Sequence, residues 1–177
     1  WSRTEAFEMP ARDIVIEGSY KINSYTVTYK VDGEQYGETE TYEYGAAVTL
    51  REKPSREGYT FKGWSYENGF KMPAGDVVIE GSYKINSYTV TYKVDGQQYG
   101  EPEVYKYNEL VRLKSEPTKE GYTFSHWNYG EDFLMPAKDV VIEGSFGINS
   151  YTVTYKVDGV QYGSTETYEY GSAVVLR

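Results

Sequence analysis

The sequence predicts a mainly β chain of small modules repeated in tandem, each with about four strands and little helix. Three observations carry this. The stretch Ile22–Gly33 (INSYTVTYKVDG) returns letter for letter at Ile85–Gly96 and at Ile148–Gly159, a spacing of 63 residues both times. Within it, aromatic and β-branched side chains alternate strictly with polar ones, the period of a half-buried strand. No window of useful length shows the 3.6-residue period of an amphipathic helix. A fixed internal period also overrides any domain count taken from the 177-residue length.

Each element of one unit has its own local reason. The opening strand sets Tyr25, Val27, Tyr29 and Val31 on the face read as core, with Tyr88, Val90, Tyr92 and Val94 as their equivalents. Asp32-Gly33 and Asp95-Gly96 then signal hairpin turns, because both central residues of a type I′ turn need positive φ. The return strand is read over Glu34–Tyr44, with Tyr36, Tyr42 and Tyr44 on one face. Pro102 stands where the first copy has Thr39, so this strand is an edge or is broken there. Gly45 punctuates a turn, Val48 and Leu50 alternate over a short extended piece, and Pro54 ends it. One short turn near Ala46–Val48 is the most helix expected. After the polar loop Ser55–Gly58, the strand begun by Tyr59-Thr60-Phe61 ends at Trp64. A variable loop leads to Phe70–Ala74, and Asp76–Tyr83 is the closing strand.

Counted from the asparagine before the strand, two complete copies run 23–85 and 86–148, with roughly 40 of 63 positions identical. A C-terminal remnant, 1–22, precedes them and is read as carrying a closing strand. An N-terminal remnant, 149–177, follows with an opening hairpin. Only Lys84-Ile85-Asn86-Ser87 separates one closing strand from the next opening strand, without a flexible linker, so relative rotation should be restricted. Each remnant leaves an unpaired edge that the other would complete in a second molecule. Head-to-tail self-association is therefore expected, the alternative being ends that pack on neighbouring full units.

Bulk composition narrows the function. Formal net charge is −9 and pI about 4.7, a surface that repels phosphate backbones and makes nucleic acid a poor partner. Aromatic content is 17%, with 21 tyrosines against 6 phenylalanines, too many core formers for a disordered chain despite a mean hydropathy of −0.66. No apolar run is long enough to cross a bilayer, so no membrane insertion is expected in this segment, and no signal peptide is present. Cysteine is absent, so no disulfide staples these units. That suits either a surface protein of an organism that avoids disulfides or a cytosolic protein.

The motifs Tyr25–Gly33 (YTVTYKVDG), Tyr42–Gly45 (YEYG), Pro54–Trp64 (P-x-x-E-G-Y-T-F-x-x-W) and Asp76–Gly81 (DVVIEG) resemble the Listeria–Bacteroides repeat, or internalin-type B-repeat. Their equivalents lie 63 residues further on, and both remnants match in their own phases. His126, before Trp127, stands where that pattern has glycine. The resemblance implies β-grasp-like modules in an elongated array, strung along bacterial surface proteins. Such a segment would be extracellular, wall-anchored or secreted, and would serve as a stalk or an accessory binding segment.

Reactive chemistry is scarce. The single histidine, His126, has Gly63 as its equivalent, so it is no property of the repeat, and no second His or Cys completes a metal site. Neither metal nor cofactor is expected. Glu38, Glu40 and Glu43 are weighed as a glycosidase-like pair and read instead as a solvated acidic face, because Pro102 and Lys106 intrude in the next copy. Trp1, Trp64 and Trp127, with Tyr59, Phe61, Tyr122 and Phe124, are read as the core signature. The functional alternative is a ring that stacks on a sugar. Lys30 and Lys93 recur with Asn23 and Asn86, the residue types of an internal isopeptide crosslink. The sequence therefore points to a non-enzymatic spacer whose partners are its neighbouring repeats. Its rivals are a multivalent adhesin module for host glycan or protein, and a fibre completed through the half-repeats at its ends.

Overall fold

The repeated stretch forms the central strand of a sheet. In a computed structural model that describes residues 1–176, β1 runs Ser24–Val31 and turns back into β2 (Glu34–Gln35) and β3 (Glu40–Glu43). Asp32 and Gly33 take φ of 50° and 90°, as a type I′ turn requires. β4 (Tyr59–Trp64) and β5 (Val77–Ile85) close the first repeat. The second repeat contains β6 (Ser87–Val94), β7 (Gln97–Gln98), β8 (Glu103–Lys106) and β9 (Leu110–Val111). It continues with β10 (Tyr122–Phe124), β11 (Phe133–Leu134), β12 (Val140–Gly144) and β13 (Phe146–Ile148). The tail adds β14 (Ser150–Val153), β15 (Lys156–Val157), β16 (Val160–Gln161) and β17 (Glu166–Glu169).

β1 pairs on both edges. On one side it meets β2 and β3 antiparallel, with Tyr25 opposite Tyr42. On the other it meets β5 parallel, with Val27 opposite Val77 and Tyr29 opposite Ile79. β6 does the same with β7, β8 and β12, setting Val90 opposite Val140 and Tyr92 opposite Ile142. Adjacent, parallel first and last strands are what a β-grasp-like module implies. The modules are mainly β, and no residue among those described is helical.

Alternation along the strands puts the core on one face. Val27, Tyr29, Val77 and Ile79 are buried against Val48 and Met72. Val90, Tyr92, Val140 and Ile142 are buried against Val111, Met135 and Trp127. The cover over each sheet is extended chain. Ala47 bridges Lys71, and the Val48 N–H donates to the Phe70 carbonyl at 2.9 Å, so Ala46–Val48 is extended rather than a helical turn. In the second repeat the same cover is the antiparallel pair of β9 and β11.

Two segments differ from the sequence reading. The return strand is broken after Gln35 as well as after Gln98, so Pro102 is not the cause. In the first repeat, Arg51 takes up the carbonyls of Tyr36, at 2.7 Å, and of Glu38, which a continuous ladder would have used. Tyr36, Tyr42 and Tyr44 consequently do not share a face: Tyr36 leans on Trp64, Tyr42 joins the core and Tyr44 is exposed. The head, residues 1–22, forms no strand, and Trp1 is 85% exposed rather than in a core. A closing strand here is made by pairing with an opening strand 50 residues before it, as Val27 pairs Val77, and the head has none in this chain. Its local geometry survives, since the Ser2 N–H still donates to the Glu17 carbonyl at 2.6 Å, as Ser65 does to Glu80 at 2.7 Å.

The chain divides into two compact units. One contains Trp1–Ser55 and Phe61–Lys84; the other contains Arg56–Thr60 together with everything from Ile85 onward.

Ile79 and Val78 are neighbours on β5 that face opposite ways, the first fully buried and the second 48% exposed. Ile79→Ala should cost roughly 2–5 kcal/mol in urea unfolding of the chain. Val78→Ala should stay within about 0.5 kcal/mol of the parent.

Candidate functional site

The parallel pair is clipped at both ends by aspartates. At the start of β5, Asp76 Oδ1 accepts the Thr26 N–H of β1 at 2.7 Å. At the end of β1, Asp32 Oδ1 accepts the Tyr83 N–H of β5 at 3.1 Å, and the Asp32 N–H donates to the Gly81 carbonyl at 3.0 Å. Asp139 with Thr89, and Asp95 with Phe146, repeat the clip at 2.8 and 3.0 Å. The hydrogen bond from Thr26 holds the Asp76 carboxyl below its ordinary 3.8.

A second polar cluster lies between the return strand and the cover. Glu40 accepts the Tyr42 hydroxyl at 2.9 Å and the Arg51 Nε–H at 2.7 Å. Arg51 also lies over the Tyr29 ring, 4.8 Å from its centroid. Lysine replaces arginine in the second repeat. Glu103 accepts Tyr105 at 2.7 Å and pairs with Lys114 Nζ at 3.0 Å, and that ammonium stands 4.6 Å from the Tyr92 centroid. The hydrogen bond to Glu103, and then burial, push the Tyr105 hydroxyl up to about 12. Burial favours a neutral Glu103, but its bonds to Tyr105 and Lys114 prevail and hold it below 4.5. Both carboxylates are therefore engaged as hydrogen-bond acceptors, in a role that fixes the return strand.

The tryptophans of the complete repeats are built into the same layer. Trp64 Nε1–H donates to the Arg51 carbonyl and Trp127 Nε1–H to the Lys114 carbonyl, each at 2.9 Å. Tyr29 and Phe61 meet Trp64 edge-on at 5.1 and 4.9 Å; Tyr92 and Phe124 meet Trp127 at 5.2 and 4.8 Å. Glycine in the closing strand makes room for this stack. A Cβ on Gly81 would lie 2.4 Å from the Phe61 ring, and one on Gly144 would lie 2.2 Å from Phe124.

Each unit carries a shallow open groove at the end of its clipped strand pair, lined by the Trp64 indole in the first unit but not by Trp127 in the second. In the first unit it is ≈ 440 Å³ and is lined by Asp32, Gly63, Trp64, Ser65, Glu80 and Ser82. In the second it is ≈ 450 Å³, with Asp95, Ser125, His126, Asn128, Glu143 and Ser145 at its walls. His126 takes φ 81° where Gly63 takes 113°, a left-handed backbone carried by a residue with a side chain. The carboxylates and hydroxyls common to the two grooves suit hydrogen bonding to a hydroxyl-rich or cationic ligand.

The expected site residues are brought together unevenly. Val27, Tyr29, Val90 and Tyr92 are buried, while Tyr25, Val31, Tyr88 and Val94 are half-buried. Phe61, Phe124, Trp64 and Trp127 stack on one another within their repeats. Tyr59 and Tyr122 reach beyond those stacks to Tyr107 and Tyr170, at 6.0 and 6.1 Å, while Phe146 links Tyr122 back to Phe124. Asp32-Gly33 and Asp95-Gly96 are turns whose aspartates also clip the closing strand, a role the turn signal does not announce. Lys30 and Asn23 lie at opposite ends of one strand, some seven residues and roughly 23 Å apart at 3.3 Å per residue, as do Lys93 and Asn86. That separation is beyond the reach of the two side chains, and Asn86 instead accepts the Thr60 hydroxyl at 2.6 Å. Neither Lys30 with Asn23 nor Lys93 with Asn86 is therefore placed for an isopeptide crosslink. Among the described residues no group of three His, Cys, Asp or Glu is placed to hold a metal ion.

The family of the chain is shown by a family model that matches both complete repeats. The family model described as the Listeria-Bacteroides repeat domain matches residues 25–78 and 88–142. Internalin H of Listeria monocytogenes is 34% identical over 146 residues, covering 71% of this chain and 26% of that protein. A protein of Evansella cellulosilytica, described as a Gly-rich membrane protein, is 28% identical over 195 residues, covering 97% of this chain and 22% of the relative. The chain thus spans less than a third of the length of these relatives. Among solved structures, domains 3-4 of the streptococcal high identity repeats in tandem, from a cell surface protein, overlay with a TM-score of 0.31 at 13% identity. That overlay covers 71% of this chain and 98% of the other.

Titration reads the two polar clusters separately. Asp76 is depressed below 3.8 in the folded chain, so its contribution is present above 3.8 and is lost as pH falls from there through the lower folded value. Asp76→Asn keeps an oxygen acceptor and should flatten the acid limb of stability against pH. Tyr105 is raised from 10.0 to about 12, so its contribution is present below pH 10 and is lost as pH rises between those values. Tyr105→Phe should remove that alkaline loss in urea melts taken across the window.

Proposed function

The chain belongs to the Listeria-Bacteroides repeat domain family, and on that premise we propose that it is a non-enzymatic spacer of a bacterial cell-surface protein, built to hold another domain away from the surface. One observation supports this above the others: the first and last strands of each complete repeat are adjacent and parallel. Tension entering at Ser24 and leaving at Ile85 would load the hydrogen bonds between β1 and β5 together, in shear, instead of opening them one by one. The aspartate clips sit at the two ends of that pair, where the load would begin.

The chemistry of the polar groups suits the same reading. Glu40, Glu103, Asp32, Asp76, Asp95 and Asp139 are all engaged with hydrogen bonds of the fold. The excess negative charge discourages adhesion between neighbouring arrays. A second reading, a multivalent adhesin, is favoured by one specific feature: a groove lined by the turn aspartate and the closing-strand glutamate recurs in both units, and many weak sites in series multiply into avidity.

Small-angle scattering of the chain and of a version lengthened by one repeat tests the spacer directly. The maximum dimension should grow by roughly 30–40 Å, about the diameter of one such module. A particle that stays compact on lengthening would contradict a spacer. Saturable binding of the same chain on a glycan array, lost on Glu80→Gln and Glu143→Gln, would favour the adhesin instead.

A further inference from the structure

The Gly-Tyr-Thr turn of each complete repeat grips the start of the repeat after it. At the second turn, the Asn149 N–H donates to the Gly121 carbonyl at 2.9 Å, and the Thr123 hydroxyl donates to Asn149 Oδ1 at 2.6 Å. The Tyr170 N–H donates to the Asn149 carbonyl at 2.8 Å, which ties the far strand of the tail hairpin to the same asparagine. The Tyr170 ring then fills the space where a side chain on Gly121 would begin: a Cβ there would lie 2.1 Å from ring atoms. Tyr122 packs edge-on against that ring at 6.1 Å. Gly58, Thr60, Asn86 and Tyr107 make the same arrangement, with the two side-chain and backbone bonds at 2.6 and 2.9 Å and the rings at 6.0 Å. Every residue of both clasps lies within the second compact unit.

The tail shows what the clasp does. Its hairpin keeps the register of a complete repeat: Ser150 faces Glu169 and Tyr151 faces Tyr168, as Ser24 faces Glu43 and Tyr25 faces Tyr42. It does so although β14 and β15 have no parallel strand beside them among the described residues. A lone two-stranded hairpin is marginal in water, so something outside it must hold it. The Gly121–Thr123 turn supplies tertiary contacts that do so.

We propose that the Gly-Tyr-Thr turn is a recognition site for the opening asparagine and the return-strand tyrosine of the following repeat, and that it orders that repeat's hairpin before its own closing strand is paired. Order therefore passes along the array from each repeat to its C-terminal neighbour. Glycine is required at the head of the turn because the tyrosine ring stands where a Cβ would be. It also holds φ of 75° and 76° at the two copies.

Amide hydrogen exchange of the whole chain, resolved by residue, tests this. Tyr170→Ala should lower protection across 150–153 and 166–169 by ~10-fold or more, while the amides of β6 and β12 keep theirs. Gly121→Ala should do the same in the tail; because it also strains the turn, Tyr170→Leu serves as the variant without backbone strain and should lower tail protection likewise. Tyr44, the equivalent tyrosine, is 59% exposed and has no such turn against it in this chain, so Tyr44→Ala should leave β1 protection unchanged. Unchanged tail protection in Tyr170→Ala and Tyr170→Leu would overturn the proposal. So would an equal loss over the second repeat and the tail, since the clasp would then be only one part of a single cooperative fold.

Discussion

Each repeat is organised by the pairing of its first strand with its last, in parallel and across 50 residues of chain, as Val27 meets Val77 and Val90 meets Val140. Antiparallel hairpins form between neighbours in sequence, but a parallel pair must close a long loop before it gains anything. The intervening chain therefore has to repay that closure. Val48 and Met72, or Val111 and Met135, do so by covering the sheet face that the parallel pair completes. Asp76 and Asp32 fix its two ends, and Gly81 lets the aromatic layer approach the closing strand.

Repetition changes what a polar side chain means. A carboxylate that recurs at a fixed spacing invites a functional reading, yet Glu40 and Glu103 hold the return strand through tyrosine and a cation. The second repeat conserves that geometry while exchanging arginine for lysine. Lysine reaches the carboxylate and the Tyr92 ring, but a single ammonium cannot reproduce the several contacts made by the Arg51 guanidinium. The clasp at Gly58 and Gly121 extends the same economy past the end of one repeat, so that a turn inside one module is also a contact for the opening of the next.

Much of this was legible in the sequence wherever the signal is local. Strict alternation located β1, Asp32-Gly33 located its turn, and Gly-Tyr-Thr-Phe…Trp marked the aromatic layer. The parallel partner of β1 was not readable from periodicity; only the family resemblance suggested it, because strand order is a property of the closed fold. Arg51 was missed because its targets are backbone carbonyls of Tyr36 and Glu38, which leave no side-chain signature. Tyr59 and Tyr122 looked like core by their spacing, but each also meets a ring of the following repeat, Tyr107 or Tyr170. Trp1 carries the same letters as Trp64 and Trp127 without the opening hairpin that would bury it. Residue type alone cannot show whether a partner strand is there.

Stretching the chain from its two ends in a single-molecule force experiment puts the parallel pair under load directly. The two complete repeats should yield as separate, mechanically resistant events, each releasing about 200 Å of chain from 63 residues at roughly 3.3–3.6 Å apiece. Asp76→Asn together with Asp32→Ala should lower the force of the first repeat's event alone. Release in many small steps at low force, with no unit of repeat length, would mean that the first and last strands do not clamp the module.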